Sequence, residues 1–154
     1  MRELRSRSWV PAGFALLALL APACGVKAPV LTVDGVKMGD MGVTGASLDV
    51  RFRVRNPNPE PLNIERMEYE LFINGDRVGR GYDSKGVPLD GFGEGRVESR
   101  VDVNFLGLPG AIQDVLRQDK VKARVKGHFY TSGHYGNKRL GFDADAEVNL
   151  RDRP

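Results

Sequence analysis

Few side chains in this 154-residue chain are of a type that does chemistry. There is one cysteine, Cys24, and a single thiol cannot close an internal disulfide. There are two histidines, His128 and His134. His128 falls on the polar side of the alternating run "KVKARVKGHFY", and Asp143 and Asp145 lie on the run that follows. Carboxylates beside a histidine on an outer strand face are ordinary ion-pairing partners, whereas a metal site needs three or four convergent ligands. No metal and no cofactor are therefore expected. No serine or cysteine stands in an elbow-type setting with a base that sequence can pair to it, so no catalytic residue is nominated. "DGFGEGR" places Gly91, Gly93 and Gly95 at alternate positions. A dinucleotide fingerprint would need a parallel strand before it and a helix after it, and neither pattern is present. Two loop aromatics complete the set. Phe92 is expected to tuck under an open end of the core, with exposure for contact as the other reading. For Tyr135, in "SGHYGN", both readings stand.

The N-terminus reads as an address. Arg2, Arg5 and Arg7 precede the apolar run "VPAGFALLALLAPA", which is too short to span a bilayer and ends in small residues. Two cleavage readings fit. Ala21-Pro22-Ala23 satisfies the small-x-small rule of ordinary secretion. "LLAPAC" also resembles the lipobox of bacterial lipoproteins, in which Cys24 is lipidated after cleavage before it. Such boxes usually carry leucine three residues before the cysteine; here that place is Ala21, with Leu20 one further back. The lipoprotein reading gives the lone thiol a purpose and is the one adopted: a leader over 1–23, a lipidated tether over 24–29 and one domain over 30–151. The implied partner is a membrane, reached through N-terminal acyl chains. Gly25 follows the cysteine instead of the aspartate that often retains lipoproteins at the inner membrane, which favours an outer membrane and the periplasmic side.

Losing the leader also removes an apparent basic character. The whole chain has 23 basic and 20 acidic residues; the leader holds three arginines and Glu3, leaving 20 against 19, so +3 falls to +1. A nucleic-acid footprint needs a basic domain, and this one is nearly neutral. No nucleic acid is expected as partner. A monomer is expected, with an envelope protein as a possible contact.

The remaining chain alternates. Seven runs have the period of half-buried strands: 30–37, "SLDVRFRVR", "NIERMEYELFI", "RVGRGY", "RVESRVDVNF", "KVKARVKGHFY" and "RLGFDADAEVNL". "NGD" between the third and fourth is a hairpin turn. "LPGAIQDVLRQ" alone has helical spacing, with Leu108, Ile112, Val115 and Leu116 on one side and Pro109 in a first turn. The second run ends at Pro57, Pro59 and Pro61, none of which can donate to a ladder. The chain must leave the sheet there, with Asn56 and Asn58 ordering the exit through Asx turns.

The last two runs can be registered. Paired numbers that sum to 269 set Lys122 opposite Glu147, Arg124 opposite Asp145 and Lys126 opposite Asp143. The same register sets Val121 against Val148, Val125 against Ala144 and Phe129 against Leu140. A slip of one residue would spoil both faces.

"NPNPEPLNIERMEYELFINGDRVGRG" resembles the signature of the water-stress and hypersensitive-response (WHy) domain of late-embryogenesis-abundant proteins of type 2. Asn56, Pro57 and Asn58 match its Asn-Pro-Asn element. Ile64, Tyr69 and Leu71 match the strand that follows, Asn74 and Gly75 the turn, and Gly81 the closing glycine. "VPLDGFGEGRVESRVDVNF" and "LPGAIQDVL" are similar to the family's later strand and its single helix. The resemblance implies an all-β fold, a seven-stranded antiparallel β-sandwich of fibronectin type III or immunoglobulin-like character with one short α-helix. It implies a structural corner at residues 56–61, no catalytic residues, and an association with desiccation and other stress.

Overall fold

The computed structural model describes residues 25–107 and 118–150. Eight strands follow in order: β1 (Val30–Met41), β2 (Gly45–Arg55), β3 (Leu62–Ile73), β4 (Asp76–Asp83), β5 (Val87–Leu89), β6 (Glu94–Asn104), β7 (Lys120–Gly133) and β8 (Lys138–Asn149). They form two antiparallel sheets. One has the order β1-β2-β6; the other runs β4-β3-β7-β8, with β5 beside the start of β3. The run expected to be helical, 108–118, lies outside the described residues except for Gln118; a 3-10 turn at Phe105–Gly107 comes before that run.

Alternation decides which sheet face closes the core. Leu48, Val50, Phe52 and Val54 of β2 are each at most 1% exposed, while Arg53 and Arg55 face solvent. Met67, Tyr69, Leu71 and Ile73 of β3 are buried opposite them, and Phe52 meets the Tyr69 ring edge-on at 5.1 Å. Val97, Val101 and Val103 extend this interior on β6, and Val121, Ala123, Val125 and Phe129 on β7. Burying such side chains contributes about 1.5–3 kcal/mol each, the dominant favourable term. β1 runs alongside β8 at one margin, where the Met38 N–H reaches the Leu150 carbonyl at 3.3 Å, and β4 alongside β6 at the other.

The β7–β8 register is the one read from the sequence: Val121 pairs with Val148, Lys122 with Glu147, Arg124 with Asp145, Lys126 with Asp143 and Phe129 with Leu140. The side chains depart from it in one respect. Arg124 reaches diagonally to Asp143, with Nη2 at 2.6 Å and Nε at 2.8 Å from its two oxygens, and stands 3.7 Å from Asp145. Diagonal neighbours on a twisted pair lie within reach of a long side chain, and the guanidinium fork matches both carboxylate oxygens at once. An eighth strand also appears where a loop was expected. β5 has three residues, one of them Pro88, and pairs with Leu62–Ile64. So short a piece shows no period.

The "NGD" turn is as the dipeptide demands. Asn74 and Gly75 have φ of 50° and 96°, the left-handed pair of a tight hairpin that follows strand twist. Asn74 also ties the turn to β7, accepting from the Lys122 N–H at 2.9 Å and donating its own N–H to the Lys122 carbonyl at 2.8 Å.

Candidate functional site

The densest polar construction joins β2 to β3, where the chain crosses from one sheet to the other. Asn56 is fully buried and Asn58 is 3% exposed. The Asn56 side chain uses all four of its hydrogen-bonding capacities. Its Nδ2 donates to the Glu60 carbonyl at 2.9 Å and the Asp90 carbonyl at 3.0 Å. Its Oδ1 accepts from the Asn58 N–H at 3.0 Å and from Asn58 Nδ2 at 2.9 Å. The Asn56 N–H donates to the Gly93 carbonyl at 2.9 Å, closing the corner onto the loop between β5 and β6. Prolines make this possible: Pro57, Pro59 and Pro61 bring no N–H needing a partner and hold the backbone extended between the asparagines.

Asn58 carries the network to the N-terminal segment. Its Oδ1 accepts from the Lys27 N–H and its Nδ2 donates to the Lys27 carbonyl, both at 2.8 Å. The Asn58 carbonyl in turn accepts from the Phe92 N–H at 2.9 Å. Gly91 packs so close that a Cβ there would overlap the Pro59 carbonyl, so only glycine fits. One end of the sandwich thus collects the tether, the proline corner and the 90–93 turn.

Phe92 corrects an expectation. It is 65% exposed, not tucked under the core. The reason is the turn: the Gly93 N–H bonds back to the Asp90 carbonyl at 2.9 Å, and Phe92 sits at the apex with φ of 58°. Left-handed backbone costs an L-residue other than glycine about 1–2 kcal/mol, and an exposed ring recovers little of that. Tyr135 is half-buried, its ring edge-on to His134 at 5.4 Å.

The other expected residues serve the core and its turns. Ile64, Tyr69 and Leu71 are buried on β3. Gly81 pairs with Tyr69, and a Cβ at Gly81 would overlap the tyrosine ring. Burial pushes the Tyr69 phenol up to about 12; the Ser99 hydroxyl nearby opposes this and Asp83 adds to it. The two hydroxyls nonetheless fall short of bonding geometry: Ser99 donates to the Tyr82 carbonyl at 3.4 Å, leaving the Tyr69 oxygen without a partner. Cys24 lies outside the described residues.

One family model matches this chain, and two solved structures are similar to it. The sequence model of the LEA_2 family, late embryogenesis abundant protein, matches residues 51–146. This chain belongs to the LEA_2 family. A solution structure from Arabidopsis thaliana is 15% identical, covering 88% of this chain and 91% of its own, with a TM-score of 0.62; at that identity the likeness is one of fold. A solution structure described as a late embryogenesis abundant (LEA) protein is 19% identical, covering 80% of this chain and 71% of its own, at a TM-score of 0.42. No curated protein matches the sequence significantly.

The LEA_2 match runs from Arg51, within β2, through most of β8 and so contains the proline corner, the "NGD" turn and the Phe92 apex. On the outer face of the second sheet this LEA_2 domain has a shallow depression lined by Glu68, Glu70, Arg80, Tyr82, Lys126 and His128. Most of its charges are already engaged. Glu70 takes Arg77 at 3.0 Å and Arg80 at 3.6 Å; Glu68 takes Arg66 at 3.2 Å and the Tyr130 hydroxyl at 3.2 Å. His128 faces Arg139 at 3.2 Å instead of the aspartates, because Arg124 holds Asp143. That pairing keeps the Asp143 carboxyl below the usual carboxylate range. Arg66 also lies over the Tyr130 ring at 3.8 Å, a contact whose residues sit on separate runs with no sequence signal to join them. Among the described residues no group of three or more His, Cys, Asp or Glu gathers to hold a metal.

Proposed function

We propose that this LEA_2 protein is a non-enzymatic, lipid-anchored domain of a bacterial envelope, protecting membranes or proteins under desiccation and related stress through weak contacts. Family membership supports the stress association, and the Asn-Pro-Asn corner supports placement in the WHy subgroup. The observation that carries the anchor is the position of the only cysteine: Cys24 stands directly behind an apolar leader and three residues ahead of Lys27, which Asn58 fastens to the domain. More than one acyl chain on Cys24 would hold the protein firmly, since stable anchoring takes at least two hydrophobic signals. Gly25, standing where an aspartate often retains lipoproteins at the inner membrane, supports the outer membrane and its periplasmic face. The test is intact mass of the membrane-extracted protein, which reads leader removal and acylation together, with Cys24→Ala expected to move the protein to the soluble fraction. Retention in the membrane after that change rejects the anchor. A deletion strain that survives drying as well as its parent rejects the protective role.

A second reading, an accessory binding module of an envelope transport or assembly complex, has its own observation. Met41, Val43 and Leu106 are 50%, 99% and 82% exposed, and the Phe105 N–H ties their two loops together through the Thr44 carbonyl at 2.9 Å. Isolation of a stoichiometric partner that Val43→Asp releases would favour this reading.

A further inference from the structure

The geometry points to Phe92 as a second membrane contact: the apex of the 90–93 turn dips into the headgroup region of the bilayer that carries the acylated Cys24. This rests on the lipid anchor proposed above and adds an orientation to it.

Three observations meet here. The first is reach. Cys24 and Lys27 are three residues apart, so even fully extended chain spans only about 10 Å between them. Lys27 is held at both its N–H and its carbonyl by the Asn58 side chain, so the tether cannot lengthen by peeling back further along the domain without breaking that pair. The second is position. The carbonyl of the same Asn58 receives the Phe92 N–H, so the tether's fixed point and the aromatic apex hang on one residue. An anchored Cys24 must bring this end of the sandwich to the lipid surface. The third is the residue itself. Phe92 occupies left-handed backbone that suits glycine, with Gly91 and Gly93 beside it, and leaves its ring 65% exposed. Such local strain without burial is the pattern of a contact residue. Pro59 of the corner is exposed beside it.

Charge selects the kind of surface. Asp90 opens the turn, and Glu94 and Arg96 follow it in the chain. Glu60 lies beside Gly91, Arg55 pairs with Glu94 and Lys27 hangs on Asn58, so this end carries both signs in balance and suits zwitterionic lipid.

The test uses the full chain, processed and acylated, in phosphatidylcholine vesicles. Trp9 is the only tryptophan and lies in the leader, so Phe92→Trp creates a unique fluorophore in the mature protein. Its emission is expected to shift to shorter wavelength and to be quenched by lipids brominated near the headgroup. Tyr82→Trp, on the outer face of the second sheet, is expected to stay unshifted and unquenched. Folding of the variant is bypassed by the unsubstituted protein: a lipid carrying a photoactivatable group near its headgroup is expected to label the tryptic peptide 86–96. Acylated protein whose Trp probe stays aqueous and whose label falls on other peptides overturns the contact and leaves the anchor standing. A mature protein without acyl mass overturns both.

Discussion

Asn56→Ala tests the corner most directly. The substitution removes two donors and two acceptances from a side chain that is wholly buried. Each such bond contributes a net of about 1 kcal/mol, and a partner left dry costs about 1–3 kcal/mol. Glu60 is half-buried and Asp90 exposed, so water reaching the two carbonyls would offset part of the loss. A net cost of about 3 kcal/mol follows, a large share of the 5–15 kcal/mol that holds a typical domain together. At about 4 °C per kcal/mol for a domain of this size, Tm should fall by roughly 12 °C. Urea unfolding followed by far-ultraviolet circular dichroism reads the energy, with an unchanged slope showing that only stability moved. Asn56→Asp sharpens the test. It keeps the two acceptances but turns a carboxylate oxygen towards the Glu60 and Asp90 carbonyls, so at neutral pH it should cost more than alanine. Burial and those carbonyls raise the new carboxyl's folded pKa above its unfolded value near 3.9. Its stability is then greatest below that unfolded value and is lost as pH rises through the folded one. An alanine variant losing less than about 1 kcal/mol, or an aspartate variant insensitive to acid, refutes the view that this network holds the corner.

Gly91→Ala drives a methyl into the Pro59 carbonyl and should cost about 1–3 kcal/mol, read by the same unfolding curve. Tyr69→Phe removes a buried, unpartnered hydroxyl and should be neutral or stabilising by up to about 1 kcal/mol. Because burial pushes that phenol up to about 12, its folded pKa exceeds the unfolded value of about 10. Wild-type stability should therefore decline from about pH 10 towards pH 12, more steeply than that of Tyr69→Phe, in thermal melts across that range. Asp143→Asn breaks an exposed pair and should cost no more than about 0.5 kcal/mol. The Asp143 carboxyl is held below its usual range, so what the pair contributes is present above the unfolded pKa near 3.9 and lost as the solution is acidified further.

Much of the architecture was legible along the chain, because alternation is a local record of which side faces oil. The β7–β8 register was readable to the residue, since ion pairs on one face and aliphatics on the other agree on one alignment. The "NGD" turn was readable because only a few residue types accept left-handed backbone. β5 was not, being too short to show a period.

What the amino-acid sequence determined by itself was therefore the strands, their buried faces and the places where chain must turn. Tertiary structure alone decided what those turns touch. Nothing local tells Asn58 that Lys27, thirty-one positions earlier, will lie against its amide. Nor does it tell Phe92 that the loop will close beneath it and leave the ring outside. Such contacts join positions distant in sequence, and their geometry exists only once two sheets have packed and set the distance between their connecting loops.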